Sequence, residues 1–482
     1  MLIQRGLQVL GALAFAVVVP RLMGPEAYGA YALVTSLAAW FVLLGGLGLT
    51  NVIGRYMPGL VGREEGSVLQ RFAGNLVVLR ILSGGLAAFL YLVVMRLLFT
   101  ELDGLLLWLI ALNVWVQGLS TLLFAVFLGL NRADLWGTGD TLRRWLTVLL
   151  LPFCVWLGGL RGAGAALIVT EVTVIATGVW LMPLRLSWPD LRPEPARLAP
   201  YLRFGLIFFG SQLLLAAFQA GGEVLVRAIS GDYVEVAYFA LANSVYQTAA
   251  ASIPPLAWSF VPLLSSRLES GDTRTINLWV ERFVTWLAVV GVVVTLGCLF
   301  LAEAVTPLVF GEAYSPVATN LVPLSVAFVV LGLGTATSLL ALVHARPGEA
   351  LVASTIRLVS FWALGVPLVR WHGSWGACLA VAGASIAHAA YAGWRMRAEL
   401  GSAARRWVTA VVLGVVPVPL LWLGSSVMAR GVLCVAAVVC YLLILLLCDV
   451  VNVSDVRIVG AALNGRARRE GGFGRSDGRD PS

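Results

Sequence analysis

The amino-acid sequence predicts an all-α polytopic membrane protein, and its composition, apolar runs and short joins all support this fold class. Of its 482 residues, 60% are hydrophobic and 12% are charged, and the mean hydropathy is +0.91. A helix needs about 20 apolar residues to cross the hydrocarbon core, and runs of that length follow one another along most of the chain. The joins are short and rich in Gly, Pro and Arg, so no stretch is predicted to form a soluble domain.

About fourteen runs are long enough to span the bilayer. The predicted spans, in order, are residues 2–22, 28–50, 75–98, 105–130, 142–159, 163–183, 203–229, 236–264, 283–302, 317–343, 350–370, 374–394, 406–424 and 431–450. The first run is predicted to be a helix rather than a cleaved signal, because the residues before Arg21 lack a small-residue cleavage motif and a second span follows at once.

A weak internal repeat organises these spans. Val236-Ala237-Tyr238 repeats Gly29-Ala30-Tyr31 at an offset of 207 residues, and Arg282-Phe283 repeats Arg71-Phe72 at an offset of 211 residues. An offset of six spans preserves direction through the membrane, as in transporters built from two parallel repeats. We therefore divide the chain into an N-lobe (1–183), a cytoplasmic linker (184–202), a C-lobe (203–396), a helix pair (397–450) and a polar tail (451–482) that we expect to be disordered.

The charge distribution predicts the orientation. The chain has no lysine, so all 33 basic residues are arginines, and 26 of them fall on one side of the predicted spans against six on the other. The positive-inside rule places the richer side, with both termini, in the cytoplasm. Arginines in alternate loops do not form the solvated basic face that nucleic acid requires, so no nucleic acid is expected as a partner. The six cysteines lie in apolar runs without a CxxC motif, so neither a metal site nor a disulfide framework is predicted.

Four junction motifs occur in one order along about 400 residues. They are Pro20-Arg21-Leu22-Met23-Gly24-Pro25-Glu26-Ala27-Tyr28-Gly29, Gly46-Leu47-Gly48-Leu49 before Arg55-Tyr56, Leu308-Val309-Phe310-Gly311-Glu312-Ala313-Tyr314, and Gly373-Ser374-Trp375-Gly376-Ala377 after Pro367. The set resembles the polysaccharide-biosynthesis (O-antigen-type) lipid-linked oligosaccharide flippases of the multidrug/oligosaccharidyl-lipid/polysaccharide exporter superfamily. These flippases often carry cavity lysines, and here any such cationic role must fall to arginine.

The resemblance implies a function. It implies that undecaprenyl-diphosphate-linked oligosaccharide is moved from the cytoplasmic to the outer leaflet by alternating access, for O-antigen, capsule or exopolysaccharide synthesis. The expected location is the bacterial cytoplasmic (inner) membrane. The expected partners are this polyprenyl-diphosphate-linked glycan and membrane lipids, with a polysaccharide polymerase and chain-length proteins as further candidates. No cofactor is expected, and whether a proton or a sodium gradient drives transport is left open.

Span seven carries the main candidate site. Gln212, Gln219, Glu223 and Arg227 fall on one face of a continuous helix. Arginine suits a diphosphate because its planar fork binds oxyanions bidentately, and ionisable groups within spans are functional candidates by default. In the functional interpretation, Arg227 meets the phosphate and Glu223 gates or accepts a proton. In the alternative, Glu223 and Arg227 form a static i,i+4 ion pair and Arg227 extends to the interface.

Five other residues complete the candidate set. Arg21 closes span one, Arg55 lies at the inner end of span two, and Arg80 lies about a turn inside span three. Each is a candidate for the cavity. The alternatives are that Arg21 extends to the headgroups, that Arg55 is an ordinary positive-inside anchor, and that Arg80 pairs with a loop carboxylate such as Glu64 or Glu65. Glu171 and His388 are candidates for ion coupling. The alternatives are that Glu171 makes a structural hydrogen bond and that His388 is a neutral packing residue.

Two other protein classes compete with a flippase. A membrane glycosyltransferase, polymerase or ligase would need a large outer loop or soluble domain, and every predicted outer loop has about 15 residues or fewer, so an enzyme is not predicted. A cation-coupled multidrug antiporter of the same superfamily would use Glu171 as its first-lobe carboxylate, but a cationic cavity would repel its substrates. ATP-driven transport by this chain is excluded because a Walker motif requires lysine.

Overall fold

The computed structural model describes most of the chain. It covers residues 2–62, 66–183, 195–253, 273–344, 346–400, 403–423 and 426–448, and the single positions 257, 264, 268, 270 and 450. Across these ranges every regular element is helical. The predicted tail (451–482) and the first part of the predicted linker lie outside the described residues.

Fourteen α-helices are described. They are α1 (Leu2–Leu44), α2 (Leu49–Gly62), α3 (Gly66–Leu98), α4 (Gly104–Gly129), α5 (Ala133–Leu181), α6 (Pro195–Gln219), α7 (Gly221–Ser230), α8 (Tyr233–Ala250), α9 (Thr273–Phe310), α10 (Val317–Val343), α11 (Pro347–Arg395), α12 (Arg397–Leu400), α13 (Ala403–Leu413) and α14 (Val427–Leu447). Short 3-10 helices cover Glu312–Tyr314 and Val418–Leu423. Because α6 begins at Pro195, residues 195–202 of the predicted linker are helical.

Three of these helices are each long enough for two spans. Helices α1, α5 and α11 have 43, 49 and 49 residues, and each contains a non-helical glycine between two predicted spans or, in α5, at the end of the predicted span 142–159. By length and composition, nine described helices can cross a membrane, or ten when the bent pair α6–α7 counts as one. This count takes each long kinked helix as one span although it has the length of two. The number of about fourteen spans stays a prediction.

The kinks in α5 and α11 share one backbone conformation. Gly159 has φ 56° and ψ −137°, and Gly373, 214 positions later, has φ 57° and ψ −135°. Residues with a Cβ atom strongly disfavour this combination of backbone angles, so glycine allows the chain to change direction at both kinks. The same rare geometry at corresponding hairpins is a structural counterpart of the sequence repeat.

The two lobes touch at the outer end, by which we mean the end that the arginine distribution predicts to face away from the cytoplasm. Helices α1 and α8 cross so closely that a Cβ atom at Gly29 would lie 1.8 Å from the carbonyl oxygen of Tyr233. The ring of Tyr314 packs edge-on against Tyr28 and Tyr238, and its hydroxyl donates a 2.9 Å hydrogen bond to the carbonyl of Pro20. The outer end is closed in this conformation.

A second contact between the lobes lies toward the inner end. The Tyr56 ring of α2 packs on Tyr201 and Phe204 of α6, with ring centroids 4.7 and 5.5 Å apart. A Cβ atom at Gly48 would lie 2.2 Å from the carbonyl oxygen of Gly205. Helix α6 therefore packs on the N-lobe near Tyr201 and Gly205 and on α11 of the C-lobe near Phe218, whereas α7 packs mainly on α8 and α11 of the C-lobe.

Candidate functional site

The predicted stripe on span seven is divided by a bend. Helix α6 ends at Gln219, α7 begins at Gly221, and the two axes differ by 43°. A Cβ atom at Gly222 would lie 2.1 Å from the ring of Phe239, so the glycine lets α7 pack tightly on α8. The prediction that Gln212, Gln219, Glu223 and Arg227 share one face assumed a straight helix, and the bend makes that prediction wrong.

Arg227 lies at the outer end and bridges the two lobes. Its guanidinium donates to the carboxylate of Glu101, in the loop between α3 and α4, and to the carbonyl of Gly231. It also lies 4.1 Å from the centroid of the Tyr233 ring, and the Tyr233 hydroxyl donates a 3.0 Å hydrogen bond to Glu101. We call Glu101, Arg227 and Tyr233 the outer clasp. Hydrogen bonding from Arg227 lowers the pKa of Glu101.

Glu223 does not pair with Arg227. Its side chain is only 6% exposed, hydrogen-bonds to Asn243 of α8, and leaves Oε2 without a hydrogen-bond partner among the described residues. The i,i+4 spacing permitted the predicted pair, but the Arg227 side chain reaches Glu101 instead. The suggested role of Glu223 in gating or proton transfer stays a prediction.

Arg80 is a buried cation held by backbone carbonyls. Its side chain is 3% exposed; Nε donates to the carbonyl of Gly118 and Nη2 to that of Val42, both at 2.9 Å. Its Nη1 is buried and has no hydrogen-bond partner in the described structure. Carbonyls do not cancel a charge as a carboxylate does, so the guanidinium keeps hydrogen-bonding capacity for an anion.

The break between α1 and α2 explains how Val42 can hold Arg80. In this turn the amide of Gly46 bonds to the carbonyl of Leu43, and that of Gly45 to Phe41, which leaves the carbonyl of Val42 free to accept from the guanidinium. The Ser83 hydroxyl, one turn from Arg80 on α3, donates a 2.7 Å bond to the carbonyl of Gly45. Arg80 and Ser83 of α3 thus supply hydrogen-bond donors to two backbone carbonyls at the end of α1.

A cavity of about 240 Å³ lies beside Arg80. It opens between α1, α2 and α4 of the N-lobe and α6, and its lining includes Val42, Gly46, Thr50, Arg80, Thr121 and Gln212. The structure therefore brings together two of the sequence-predicted cavity residues, Arg80 and Gln212. The hydroxyls of Thr50 and Thr121 and the amide of Gln212 add polar groups that suit a hydrated or glycosylated ligand.

The other cationic candidates lie elsewhere. Arg21 is exposed and donates to the carbonyl of Leu308 at the outer end of α9. Arg55 is exposed on α2, beyond the cavity lining. Gln219 is exposed at the end of α6, and its carbonyl accepts a 3.5 Å bond from Asn243. Their proposed contacts with substrate stay predictions.

The family model described as polysaccharide biosynthesis protein matches residues 2–268, which is more than half of the chain. The chain belongs to the polysaccharide biosynthesis protein family. The resemblance that the four junction motifs indicated is thereby confirmed. Among curated proteins, none matches the chain.

Solved structures show the fold of this family member. A multidrug resistance MATE family transporter of the MOP superfamily, in an inward-facing conformation, aligns with TM-score 0.69 and 17% identity over 83% of this chain and 96% of its own. The lipid II flippase MurJ, in an inward closed conformation, aligns with TM-score 0.65 and 13% identity over 97% of this chain and 98% of its own. A MOP superfamily transporter from Pyrococcus furiosus aligns with TM-score 0.54 and 16% identity over 83% of this chain and 94% of its own. The predicted all-α multi-pass fold is confirmed.

Sequence reasoning missed one charged residue of the N-lobe. Arg143, which is among the 26 arginines assigned above to the cytoplasmic side, lies on α5 and bonds through Nε to Oε1 of Glu171 at 2.5 Å. The Ser120 hydroxyl donates to the other oxygen of Glu171 at 2.5 Å. Glu171 is therefore a paired carboxylate. Because the predicted fifth span starts at residue 142, the span boundary itself was the signal that Arg143 belongs to the membrane.

Arg357 of α11 was missed for the same reason. It lies well inside the predicted span 350–370, yet it is among the 26 arginines assigned above to the cytoplasmic side. Its guanidinium stacks 3.8 Å from the centroid of the Phe218 ring and hydrogen-bonds to the hydroxyls of Ser385 and Tyr246. His388, one turn after Ser385, is half-buried beside Gly334, and its Nδ1 has no hydrogen-bond partner in the described ranges.

Proposed function

We propose that this protein is a flippase that moves undecaprenyl-diphosphate-linked oligosaccharide from the cytoplasmic to the outer leaflet by alternating access. The observation that carries the proposal is Arg80, a buried guanidinium with an unused N–H group beside a cavity between the lobes. Membership of the polysaccharide biosynthesis protein family supports a glycan as the cargo. The expected biological setting is the assembly of a cell-surface polysaccharide at the bacterial cytoplasmic membrane.

A lipid-linked diphosphate is the ligand class that best suits such a group. A charge inside the membrane is costly, so a chain that retains one without a counter-ion gains most when an anionic ligand supplies it. The polyprenyl tail can remain in the bilayer while only the head group enters the polar cavity. Arg80 would bind a phosphate oxygen through Nη1, and Gln212, Thr50 and Thr121 would contact oxygen atoms of the phosphate or of the first sugar.

The closed outer end fits one stage of alternating access. The contact between α1 and α8 and the outer clasp separate the cavity from the outer surface. To load the head group from inside, the packed contact between α2 and α6 must open, and to release the head group outside, the outer contacts must open instead. In this scheme the bend between α6 and α7 lets one span follow the N-lobe at one end and the C-lobe at the other.

A drug antiporter is the competing proposal, since its fold is similar. Such a transporter would take a cation on a first-lobe carboxylate, and the candidate that the sequence offers is Glu171. In the structure Glu171 is buried and bound to Arg143 and Ser120, so its charge is already compensated. The free charge beside the cavity is positive, which favours an anionic cargo.

The test is a leaflet-exchange measurement in proteoliposomes. Purified protein is reconstituted with fluorescent undecaprenyl-diphosphate oligosaccharide, and an external quencher or glycosidase reports the fraction in the outer leaflet over time. We expect wild type to exchange the lipid, and Arg80→Gln to slow exchange by about tenfold or more, because a charge-assisted hydrogen bond is lost. Arg161→Gln is the matched control, since Arg161 is an exposed outer arginine bound to Asp103.

Two further variants separate binding from folding. Arg80→Lys keeps a positive charge but loses the bonds through Nε, and Gln212→Ala changes the exposed wall of the cavity without touching Arg80. Wild-type exchange in Arg80→Gln and Gln212→Ala would move the site elsewhere. Failure of wild type to exchange the lipid, with ethidium efflux driven by a proton gradient instead, would assign the protein to the antiporters. Repeating wild type with imposed proton and sodium gradients tests which ion, if either, drives exchange.

A further inference from the structure

The two lobes carry the same arginine at corresponding places. The offset of 214 positions that relates Gly159 to Gly373 also relates Arg143 on α5 to Arg357 on α11. Both arginines lie on the first arm of a kinked hairpin and bond to a side chain 28 positions later on the second arm. This correspondence allows the two environments to be compared directly.

In the N-lobe the partner is a carboxylate. Glu171 accepts from Nε of Arg143 at 2.5 Å, and Ser120 bonds to both members of the pair. The two charges cancel, and the hydrogen-bonding groups of the pair are largely used. Arg143 is therefore a structural cation that ties α5 to the second arm of its own hairpin.

In the C-lobe the position of Glu171 is taken by Ser385. The hydroxyl of Ser385 accepts a 3.3 Å bond from Nη2 of Arg357, and the Tyr246 side chain supplies another hydrogen bond. No ion-pair partner of Arg357 occurs among the described residues, and its Nε is buried without any hydrogen-bond partner. The C-lobe position therefore carries the guanidinium without the carboxylate that its N-lobe counterpart has.

The arrangement leaves Nε of the Arg357 guanidinium without a hydrogen-bond partner among the described residues. Phe218 covers a face of the group, so a ligand must approach in its plane, where the N–H groups form a bidentate fork. Hydroxyls can accept from an arginine when the site is empty and donate to an anion when one is bound. Phe218 also lies just before the bend between α6 and α7, which places Arg357 beside the part of span seven that joins the two lobes.

We propose that Arg357, with Ser385 and Tyr246, forms a second oxyanion-binding site, in the C-lobe. It binds an acidic oxygen pair of the cargo, either a phosphate of the lipid diphosphate or the carboxylate of an acidic sugar. The inference rests on the proposed function for the identity of the cargo, whereas the binding of an oxyanion at Arg357 can be measured without transport.

The experiment restores the missing carboxylate. Ser385→Glu recreates the N-lobe pair around an unchanged Arg357, and Arg357→Gln removes the cation. Arg395→Gln, on the same helix but bound to Glu349 at the surface, is the control. Binding of pyrophosphate and of glucuronate to the purified variants is measured by calorimetry. Exchange is measured with two diphosphate lipids, one with a neutral glycan and one that contains a uronic acid.

We expect both variants to lose binding of at least one probe by about tenfold or more, while Arg395→Gln behaves as wild type. Loss of pyrophosphate binding and of exchange for both lipids identifies the diphosphate as the ligand. Loss of glucuronate binding and of exchange for only the acidic glycan identifies the sugar carboxylate. Wild-type binding and exchange in both variants would overturn the inference.

Thermal unfolding keeps the result interpretable. Ser385→Glu is expected to be at least as stable as wild type, because the N-lobe already folds with this pair. Unfolding of both variants would also overturn the inference, since it would make Arg357 a structural residue. If wild type exchanges neither lipid but binds a probe that Ser385→Glu does not, the proposed flippase function fails while the oxyanion site stands.

Discussion

At the scale of the residue, three membrane arginines differ in their partners rather than in their type. Arg143 faces a carboxylate, Arg80 faces two backbone carbonyls, and Arg357 faces two hydroxyls and an aromatic ring. Only the first is neutralised within the described structure. Counting arginines by loop predicts an orientation of the chain but cannot separate a paired cation from one without a counter-ion, because partners come from other helices.

The pairing of Glu171 predicts a large effect on stability. Glu171→Gln removes the carboxylate and leaves Arg143 half-buried beside a neutral amide, which costs about 3 kcal/mol, the lower end for a broken buried pair, because Arg143 keeps the exposed Asp140. Unfolding in mild detergent, followed by circular dichroism, measures the loss. The double variant Arg143→Gln, Glu171→Gln should recover part of it, and a double variant as unstable as the sum of the singles would contradict this account.

Gly118 is predicted to be required for the position of Arg80. A Cβ atom there would lie 2.5 Å from Nη2 of Arg80, so Gly118→Ala must displace the guanidinium from its two carbonyls. We expect a loss of about 1–3 kcal/mol in stability from overpacking, together with slower lipid exchange. Gly85→Ala, on the same helix as Arg80, meets only an ordinary contact at 3.9 Å and should behave as wild type in both measurements.

At the scale of the element, long helices change direction at glycines. Whether the sequence predicts such a change depends on whether the glycine lies near the end of an apolar run or inside it. The kinks of α1 and α11 fall where the sequence predicted loops, at Gly24 and Gly373, and that of α5 falls at Gly159, the last residue of a predicted span. The break before Gly221 and Gly222 lies inside a single apolar run, where hydropathy gives no signal. The places where long helices turn between apolar runs were therefore close to predictable, whereas the bend that divides the polar stripe of span seven was not.

The candidate site was predictable only in part, for a related reason. Arg80 and Gln212 stand out in sequence because polar side chains inside spans are rare and costly. Their meeting at one cavity depends on the turn between α1 and α2, which exposes the carbonyl of Val42, and on α6 crossing to the N-lobe. Those are properties of tertiary packing, and helical spacing within one span does not contain them.

The packing of Gly222 at the bend between α6 and α7 leads to a prediction about stability and lipid exchange. Gly222→Ala places a methyl group 2.1 Å from the Phe239 ring, so α7 must move away from α8. We expect lower thermal stability and slower exchange, because the burial of Glu223 and the position of Arg227 both depend on that contact. Gly210→Ala, on α6 with open space around it, is the control and should instead be neutral or slightly stabilising. Equal stability of both variants would contradict a tight α7–α8 contact.

At the scale of the whole molecule, the outer end is closed by contacts that join the lobes. The crossing of α1 and α8 and the ring of Tyr314 are apolar and close-packed, whereas the outer clasp is a half-exposed ion pair. Surface pairs of this kind contribute up to about 1 kcal/mol. The clasp is therefore suited to adjusting the balance between closed and open states, while packing supplies most of the closure.

This role predicts how outer opening depends on Glu101. Because Arg227 lowers the pKa of Glu101 in the closed state, the clasp is intact above the ordinary pKa of glutamate and is lost as the pH falls through the lowered value. Acid on the outer side, or Glu101→Gln at neutral pH, should raise the open population by up to about fivefold. The measurement is the distance between spin labels at Glu26 and Glu312, one on each lobe, in a cysteine-free background.

The neighbouring pair provides the control for this measurement. Asp103 also has a lowered pKa, through its hydrogen bond with Arg161, but both residues belong to the N-lobe. Asp103→Asn therefore removes a similar exposed pair without touching the contact between the lobes, and it should leave the distance unchanged. If Glu101→Gln and Asp103→Asn gave the same distances as wild type at every pH, closure would rest on the packing of α1, α8 and Tyr314 alone. If both lengthened the distance, the effect would reflect general surface charge, because only one of the two pairs spans the lobes.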